Sequence, residues 1–317
     1  MTLDTWPLAT ELADSRRILL SGAGGGFDIY SGLPLYFMLK AAGKEVFLGN
    51  LSFAHLPRAK HYWLSSECAM INADLEEYGT YCPEYQLARW FREERNEEVT
   101  IYSFPQTGVA PLTSAYCELV KKLELDAIVL VDGGTDSLMR GDEIGLGTPQ
   151  EDIASIAAVA ESGVEKSYLA AIGFGIDTFH GVCHAQFLEA VADLTQSGHF
   201  LGVSTVLPST EGSAEFFSAV DYANVRTPRR ESIVQNSLYS AIKGNFGDQH
   251  RTQRTVGSKL WINPIMPIYW AFELDGVVQR NLYIDQLSQT ETMYDITTVI
   301  KRFRGQCGSR GRDNIPA

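Results

Sequence analysis

The chain has 317 residues, of which 45% are hydrophobic, so it can build a sizeable core and is not globally disordered. Its formal net charge of -13 argues against nucleic acid and against an anionic membrane surface as partners. The 5 cysteines contain no CxxC pair, which favours reduced thiols in a cytoplasmic protein over a disulfide framework or structural zinc.

Short apolar runs alternate with longer amphipathic segments along most of the chain. The apolar runs have the continuous character of strands that are covered on both faces. The predicted strands are 16–22, 44–50, 98–104, 127–134, 167–175 and 199–207. The predicted helices between and after them are 31–42, 84–95, 111–123, 149–163, 182–196 and 211–222. This alternation predicts one α/β domain over 1–317, Rossmann-like, with a doubly wound, mostly parallel sheet of about six strands.

Two segments depart from the alternation. Prolines interrupt the periodicity of residues 51–83, which we interpret as a lid over the sheet edge. Residues 225–317 form a C-terminal extension that begins with a predicted helix at 231–243. There, Asp275-Gly276 is typical of a hairpin turn between two short strands, and a last helix is predicted at 288–303.

The stretch "GAGGGFDIYSGLP" (22–34) follows the first predicted strand. Ligands of open parallel sheets bind beyond the carboxyl ends of the strands, where glycines let backbone N–H groups approach an anion. The dinucleotide pattern is incomplete, because Phe27 replaces the third glycine and Asn50 stands where an acid would hold a ribose. A tight turn is the alternative, but three consecutive glycines favour a ligand cradle. The predicted ligand-binding residues here are Gly22, Gly24, Gly25, Gly26 and Asn50.

Asp28 lies within this glycine stretch. A carboxylate repels a phosphate unless a cation or a sugar hydroxyl lies between them. Asp28 is therefore a candidate to bind a hydroxyl, orient a water or hold Mg²⁺. The alternative is a helix N-cap.

"VDGGTDS" (131–137) closes the fourth predicted strand. Asp132 ends an apolar run, and Asp136 lies on the other side of Gly-Gly-Thr, so both carboxylates are expected to face one crevice. Paired acids divide acid and base roles or share a metal. For Asp136 an Asx turn is an equal alternative. Further predicted ligand contacts are Gly133, Gly134, Thr135 and Ser137.

"GIDTFHGVCH" (175–184) follows the fifth predicted strand. His180 precedes the next predicted helix and is the candidate general acid or base, with Asp177 as a further catalytic candidate. His184 lies on the apolar stripe of that helix and is predicted to be a packed histidine.

The motifs "GAGGGFDIYSGLP", "NLSF" and "VDGGTDSL", with the ending that starts "NLYIDQLSQTET", resemble the domain-of-unknown-function 1152 family. The resemblance spans nearly the whole chain and implies a Rossmann-like fold without an assigned activity. A looser likeness joins Gly22-Ala23-Gly24 and Ser31-Gly32-Leu33-Pro34 to the NAD loop of sirtuins. That likeness favours a nucleotide ligand, whereas the absent paired CxxC motif argues against deacetylation.

The residues together predict an enzyme that acts on a nucleotide-like or phosphorylated small molecule by hydrolysis or group transfer. Carboxylates, His180 and an optional divalent metal would carry the chemistry on an anionic small-molecule ligand. The basic C-terminal extension either faces that ligand or, as an equal alternative, forms salt bridges with the acidic rest of the chain. No other cofactor is assigned, and a homo-oligomer is allowed. The alternatives are a non-catalytic nucleotide sensor and a biosynthetic enzyme for a metabolite that is not a nucleotide.

Overall fold

A computed structural model describes residues 6–76 and 81–312 of the chain. These residues form a mixed α/β fold around one large sheet. Its strands are β1 Arg17–Gly22, β2 Glu45–Ser52, β3 Trp63–Ser65, β4 Cys68–Ile71, β5 Ile101–Pro105, β6 Ala127–Asp132, β7 Lys166–Ala171, β8 Phe200–Thr205 and β9 Ile268–Glu273. The helices are α1 Pro7–Glu11, α2 Asp28–Ser31, α3 Leu33–Ala41, α4 Pro83–Arg95, α5 Val109–Leu123, α6 Pro149–Ala160, α7 His184–Gln196, α8 Ser213–Arg226, α9 Ile233–Ile242, α10 Leu274–Arg280 and α11 Met293–Cys307.

The strand order is β3-β4-β5-β2-β1-β6-β7-β9-β8. The five central strands, β5-β2-β1-β6-β7, are parallel, and in this register Leu19 lies opposite Phe47 on one side and Ile128 on the other. The pairs at both edges are antiparallel. From β1 the chain moves outward through β2 and β5 and then returns to β6 on the opposite side. The loops after β1 and β6 therefore diverge at the same sheet edge, which opens a crevice between them.

Both faces of the sheet are buried. Alternate residues of β1 enter different apolar clusters: Ile18 and Leu20 pack on one face and Leu19 on the other. Strand β6 divides in the same way, with Val129 on the first face and Ile128 on the second. Side chains of successive strand residues point to opposite faces, so a strand buried on both sides is apolar without alternation.

The sheet has nine strands within the described residues, so the prediction of about six was too low. All six predicted segments contain a strand. The additional strands are β3 and β4, which lie in the segment interpreted as a lid, and β9. Strand β4 pairs with β5, so part of this segment prolongs the sheet beyond its parallel core. Residues 77–80 lie outside the described residues, and closure of the segment over the pocket stays a prediction.

The hairpin predicted around Asp275-Gly276 is wrong, because both residues lie inside α10. A Cβ atom on Gly276 would lie 2.3 Å from Cβ of His199. The glycine therefore lets α10 approach the residue that precedes β8, and it does not mark a chain reversal. The one strand of this region, β9, inserts between β7 and β8 and is antiparallel to both.

In the described part of the chain, no helix has the length and apolarity that a membrane crossing requires. All five cysteines are free thiols, as the sequence predicts.

Candidate functional site

A cavity of about 480 Å³ opens at the carboxyl edge of the parallel strands, where the loops after β1 and β6 diverge. We call it the acidic pocket, because six carboxylates line it and none of its described lining residues is a lysine or an arginine. The carboxylates are Asp28, Asp132, Asp136, Glu151, Asp152 and Asp177. The other lining residues are Gly24, Gly25, Phe53, Gln106, Gly133, Thr148, His180 and Val234.

Asp28 is held by the glycine loop in which it lies. The backbone N–H of Gly24 donates a 2.8 Å hydrogen bond to its Oδ2 atom, and the N–H of Gly133 donates a second bond from the β6 loop. Desolvation outweighs these bonds and, with repulsion from Asp136 and Glu151, raises the pKa of Asp28 to about 7. Its carboxyl group therefore keeps its proton to a higher pH than an unperturbed aspartic acid does.

Asp132 closes β6 and is 3% exposed. Its Oδ2 accepts hydrogen bonds from the backbone N–H of Ser137, at 3.3 Å, and from the Ser137 hydroxyl. Burial, followed by repulsion from Asp136 and Asp28, raises the pKa of Asp132 well above its usual range. Ser137 thus orients this carboxylate and does not itself line the pocket.

Asp136 and Asp177 each organise a loop. Oδ2 of Asp136 accepts bonds from the N–H of Thr148 at 2.7 Å and from its hydroxyl at 3.1 Å. Oδ2 of Asp177 accepts a 2.6 Å bond from the N–H of Thr135. Desolvation is the largest cause that raises the pKa of both acids. Both acids therefore hold loops that border the pocket and also line it.

Asp152 and Glu151 come from the first turn of α6. Acids are common in the first turn of a helix because they complement its dipole, so the sequence does not single out these two, and their place in the pocket depends on the tertiary fold. Asp152 is 2% exposed, and its Oδ1 atom has no hydrogen-bond partner among the described residues. Burial, followed by repulsion from Asp136 and Asp132, raises the pKa of Asp152 well above its usual range.

Asp28, Asp132 and Asp152 converge on one point. One oxygen of each lies within 4.8 Å of the other two. Carboxylate oxygens are the ligands preferred by hard divalent cations such as Mg²⁺. Three carboxylates that converge without a basic neighbour either keep their protons or share a cation. The geometry of this trio suits a shared cation.

The glycines make room for these acids. A Cβ atom on Gly24 would lie 2.7 Å from Oδ1 of Asp152 and 2.8 Å from Oδ2 of Asp28. A Cβ on Gly147 would lie 2.1 Å from Oδ2 of Asp136. The glycine-rich loop therefore brings backbone close to carboxylates, and the N–H of Gly24 is directed at an acid of the protein.

Several predicted ligand contacts lie behind the cavity wall. Asn50 is fully buried and donates to the carbonyl of Gly26 and to Oε1 of Glu84, at 2.8 Å each. It anchors the glycine loop to α4. The predicted contacts outside the described cavity lining are Gly22, Gly26, Asn50, Gly134, Thr135 and Ser137. The predicted residues that do meet in the lining are Gly24, Gly25, Asp28, Asp132, Gly133, Asp136, Asp177 and His180.

His180 ends a 3₁₀ turn, Ile176–His180, just before α7. Its side chain is exposed and lines the pocket, and a protonated His180 lowers the pKa of Asp136. His184 is half-buried at the start of α7 and shares a 3.1 Å hydrogen bond with the Thr178 hydroxyl, so it is packed as the sequence predicts. Of these two histidines, His180 lines the acidic pocket and His184 does not.

The last helix supports the loop that leads from Asp136 to α6. Arg304 of α11 donates to the carbonyl oxygens of Gly141, at 3.0 Å, and of Glu143. Arg280 of α10 lies 3.8 Å from the buried carboxylate of Glu143. The C-terminal extension thus fixes the segment that carries Thr148 and the acids of α6.

Comparison with known proteins gives one family. No curated protein matches the chain. The model of the family described as "Protein of unknown function (DUF1152)" matches residues 68–306. The match includes five of the six pocket acids, whereas the glycine loop with Asp28 precedes it. Because the match spans well over half of the chain, the protein belongs to the domain-of-unknown-function 1152 family.

Proposed function

We propose that this protein is an enzyme that hydrolyses or transfers a group on a phosphorylated, nucleotide-like small molecule with the help of a divalent cation. The observation that carries the proposal is the unpaired, buried Oδ1 of Asp152 beside Asp28 and Asp132. A buried carboxylate oxygen without a partner is costly, and a cation shared by the three acids would offset that cost.

The cation also reconciles an acidic pocket with an anionic substrate. Phosphate oxygens are repelled by the carboxylates themselves, but a divalent ion between them neutralises the repulsion. Asp28, Asp132 and Asp152 would hold the ion, which would polarise the phosphoryl group or activate a water. Gln106 and Thr148, which also line the pocket, offer neutral hydrogen bonds to the rest of the ligand.

His180 would move the proton. It is exposed at the rim and therefore keeps access to both solvent and the pocket. Imidazole side chains serve as proton donors and acceptors in many enzymes. In this role His180 would protonate the leaving group.

The nucleotide part of the proposal is supported by the topology. In a Rossmann-like interpretation, the order β5-β2-β1-β6-β7 places the switch point between β1 and β6, where such folds bind their ligands. The free cysteines favour a cytoplasmic enzyme, where phosphorylated metabolites are abundant.

The test is a thermal-shift titration with Mg²⁺ and Mn²⁺, followed by phosphate-release and transfer assays on nucleotides and sugar phosphates. We expect either ion to raise the melting temperature of the wild type by mass action and not that of Asp152→Asn. Asp14→Asn, an exposed acid outside the pocket, is the matched control. Absence of any ion-dependent shift and of turnover in the wild type would refute the proposal.

A further inference from the structure

The turn Ile176–His180 lines two cavities. Asp177 and His180 face the acidic pocket, whereas Ile176, Thr178 and Phe179 line a second cavity of about 840 Å³. We call the second cavity the aromatic groove. Its lining includes Phe179, His184, Lys259, Trp261 and Met266. The groove uses none of the carboxylates of the acidic pocket.

Trp261 is the main apolar surface of the groove. Its ring meets His184 edge-on, with centroids 5.2 Å apart, and meets Phe174 at 6.5 Å. These contacts fix the ring, yet the residue is 44% exposed, and Phe179 is 79% exposed. Large aromatic side chains exposed together in a concavity indicate a surface that a ligand covers.

Polar groups stand beside these rings. His184 shares its hydrogen bond with Thr178 at 3.1 Å, and burial, followed by the charge of Arg312, lowers the pKa of His184 and keeps the imidazole neutral. Lys259 is exposed, and the one carboxylate of the described lining, Asp248, has its Oδ1 atom 3.1 Å from Nε2 of His250. Apolar rings with a few hydrogen-bonding groups and one cation are typical of sites for heterocycles.

The groove and the acidic pocket meet at one ring pair. Phe179 lines the groove and His180 lines the pocket, and their ring centroids are 5.5 Å apart at an interplanar angle of 76°. Because adjacent residues of one short turn form both rims, a ligand that crosses this pair touches both cavities.

We infer that the aromatic groove seats the planar ring of the same substrate whose phosphorylated end reacts in the acidic pocket. The substrate is then a nucleotide and not a simple sugar phosphate. This inference rests on the proposed function. The ring would stack on Trp261, His184 and Thr178 would bind its polar edge, and the chain of the ligand would pass Phe179 and His180.

The experiment measures binding of adenosine, adenosine monophosphate and ribose 5-phosphate by calorimetry in the presence of Mg²⁺, on the wild type and on Trp261→Ala. We expect the alanine variant to bind both ring-bearing compounds about tenfold more weakly, since stacking contributes a gain of this size. Binding of ribose 5-phosphate should not change. Trp261→Phe should restore most of the loss, and Tyr294→Ala, an exposed aromatic outside both cavities, is the control.

Three further outcomes separate this inference from the proposed function. If adenosine binds the Asp152→Asn variant as tightly as it binds the wild type, and if it competes with adenosine monophosphate, the groove is supported even if no phosphate chemistry is found. The inference is overturned if Trp261→Ala, with an unchanged melting temperature, binds adenosine monophosphate as the wild type does. It is also overturned if adenosine binds without competing.

Discussion

The backbone N–H of Gly24 donates a 2.8 Å hydrogen bond to Oδ2 of Asp28, four residues along the same loop. An amide that an anion would use in a phosphate cradle is directed here at a carboxylate of the protein. The loop therefore presents an acid to the pocket, and under the proposed function an anionic ligand would reach that acid through a cation. In this respect the glycine-rich stretch differs from a phosphate-binding loop.

Gly24→Ala tests the steric role of this loop. The new Cβ atom would press on Asp152 and Asp28, at 2.7 and 2.8 Å, so we expect the Mg²⁺-dependent thermal shift to be lost. The backbone of Gly24 does not require a positive φ, so the fold itself should survive. Gly305→Ala, a helical glycine whose Cβ would meet nothing within 4 Å, is the control. A normal Mg²⁺ shift in Gly24→Ala would contradict this role.

Asp152→Asn should stabilise the metal-free protein while it abolishes cation binding. The amide keeps the shape of the side chain and stays neutral at every pH, so it avoids the free-energy cost of burying an acid among other, mutually repelling acids. We expect the melting temperature of the metal-free protein to rise by about 2 °C. Scanning calorimetry with and without Mg²⁺ measures both effects. A destabilised variant would instead identify Asp152 as a structural residue.

The stability of the metal-free protein should fall as pH rises from 4 to 7. The pKa of Asp28 is about 7 in the folded state and 3.8 when unperturbed. Between these values the unfolded chain has lost its proton and the folded chain has kept it, so each pH step favours unfolding. Below 3.8 both states are protonated, and above 7 this contribution is constant. Melting temperatures at constant ionic strength should show a shallower slope for Asp28→Asn.

Cation binding should show the opposite pH dependence. Protons compete with the cation for the carboxylates, so the affinity for Mg²⁺ should increase about tenfold per pH unit between pH 5 and 7. Calorimetry in two buffers of different ionisation enthalpy would detect the released proton. An affinity that does not depend on pH would mean that the ion binds away from Asp28.

His180→Gln should lower kcat about 100-fold, the ordinary cost of removing a general acid or base. The exposed side chain packs against little, so the melting temperature should not change. His61→Gln, an exposed histidine in the segment interpreted as a lid, is the control. A pH–rate profile distinguishes the roles: loss of one limb supports proton transfer, whereas a parallel downward shift would contradict it.

The pocket acids that the sequence predicts differ from those it does not predict in the residues that surround them along the chain. Acids at strand ends, such as Asp132, are conspicuous because a carboxylate interrupts an apolar run. Asp152 lies in the first turn of a helix, where acids are common for local reasons. Only the tertiary fold turns that helix end toward the pocket, and no local pattern encodes it.

The strands and their order in the sheet likewise differ in how far the sequence predicts them. Runs that are covered on both faces identify strands reliably, because burial leaves a local signature. The order of the strands in the sheet leaves no local signature, so the position of β9 between β7 and β8 could not be predicted from its sequence. Gly276 led to the wrong hairpin prediction because close packing and turn formation both favour glycine. Here the glycine accommodates His199 at close range.

Strand β8 pairs with β9, which follows α8 and α9 in the chain and is therefore synthesised after them. During synthesis β8 therefore leaves the ribosome well before the strand that joins it to the sheet, and the edge of β7 stays open meanwhile. Open strand edges recruit other chains. Premature termination before residue 268 would consequently yield a chain that retains most of the acidic residues but aggregates.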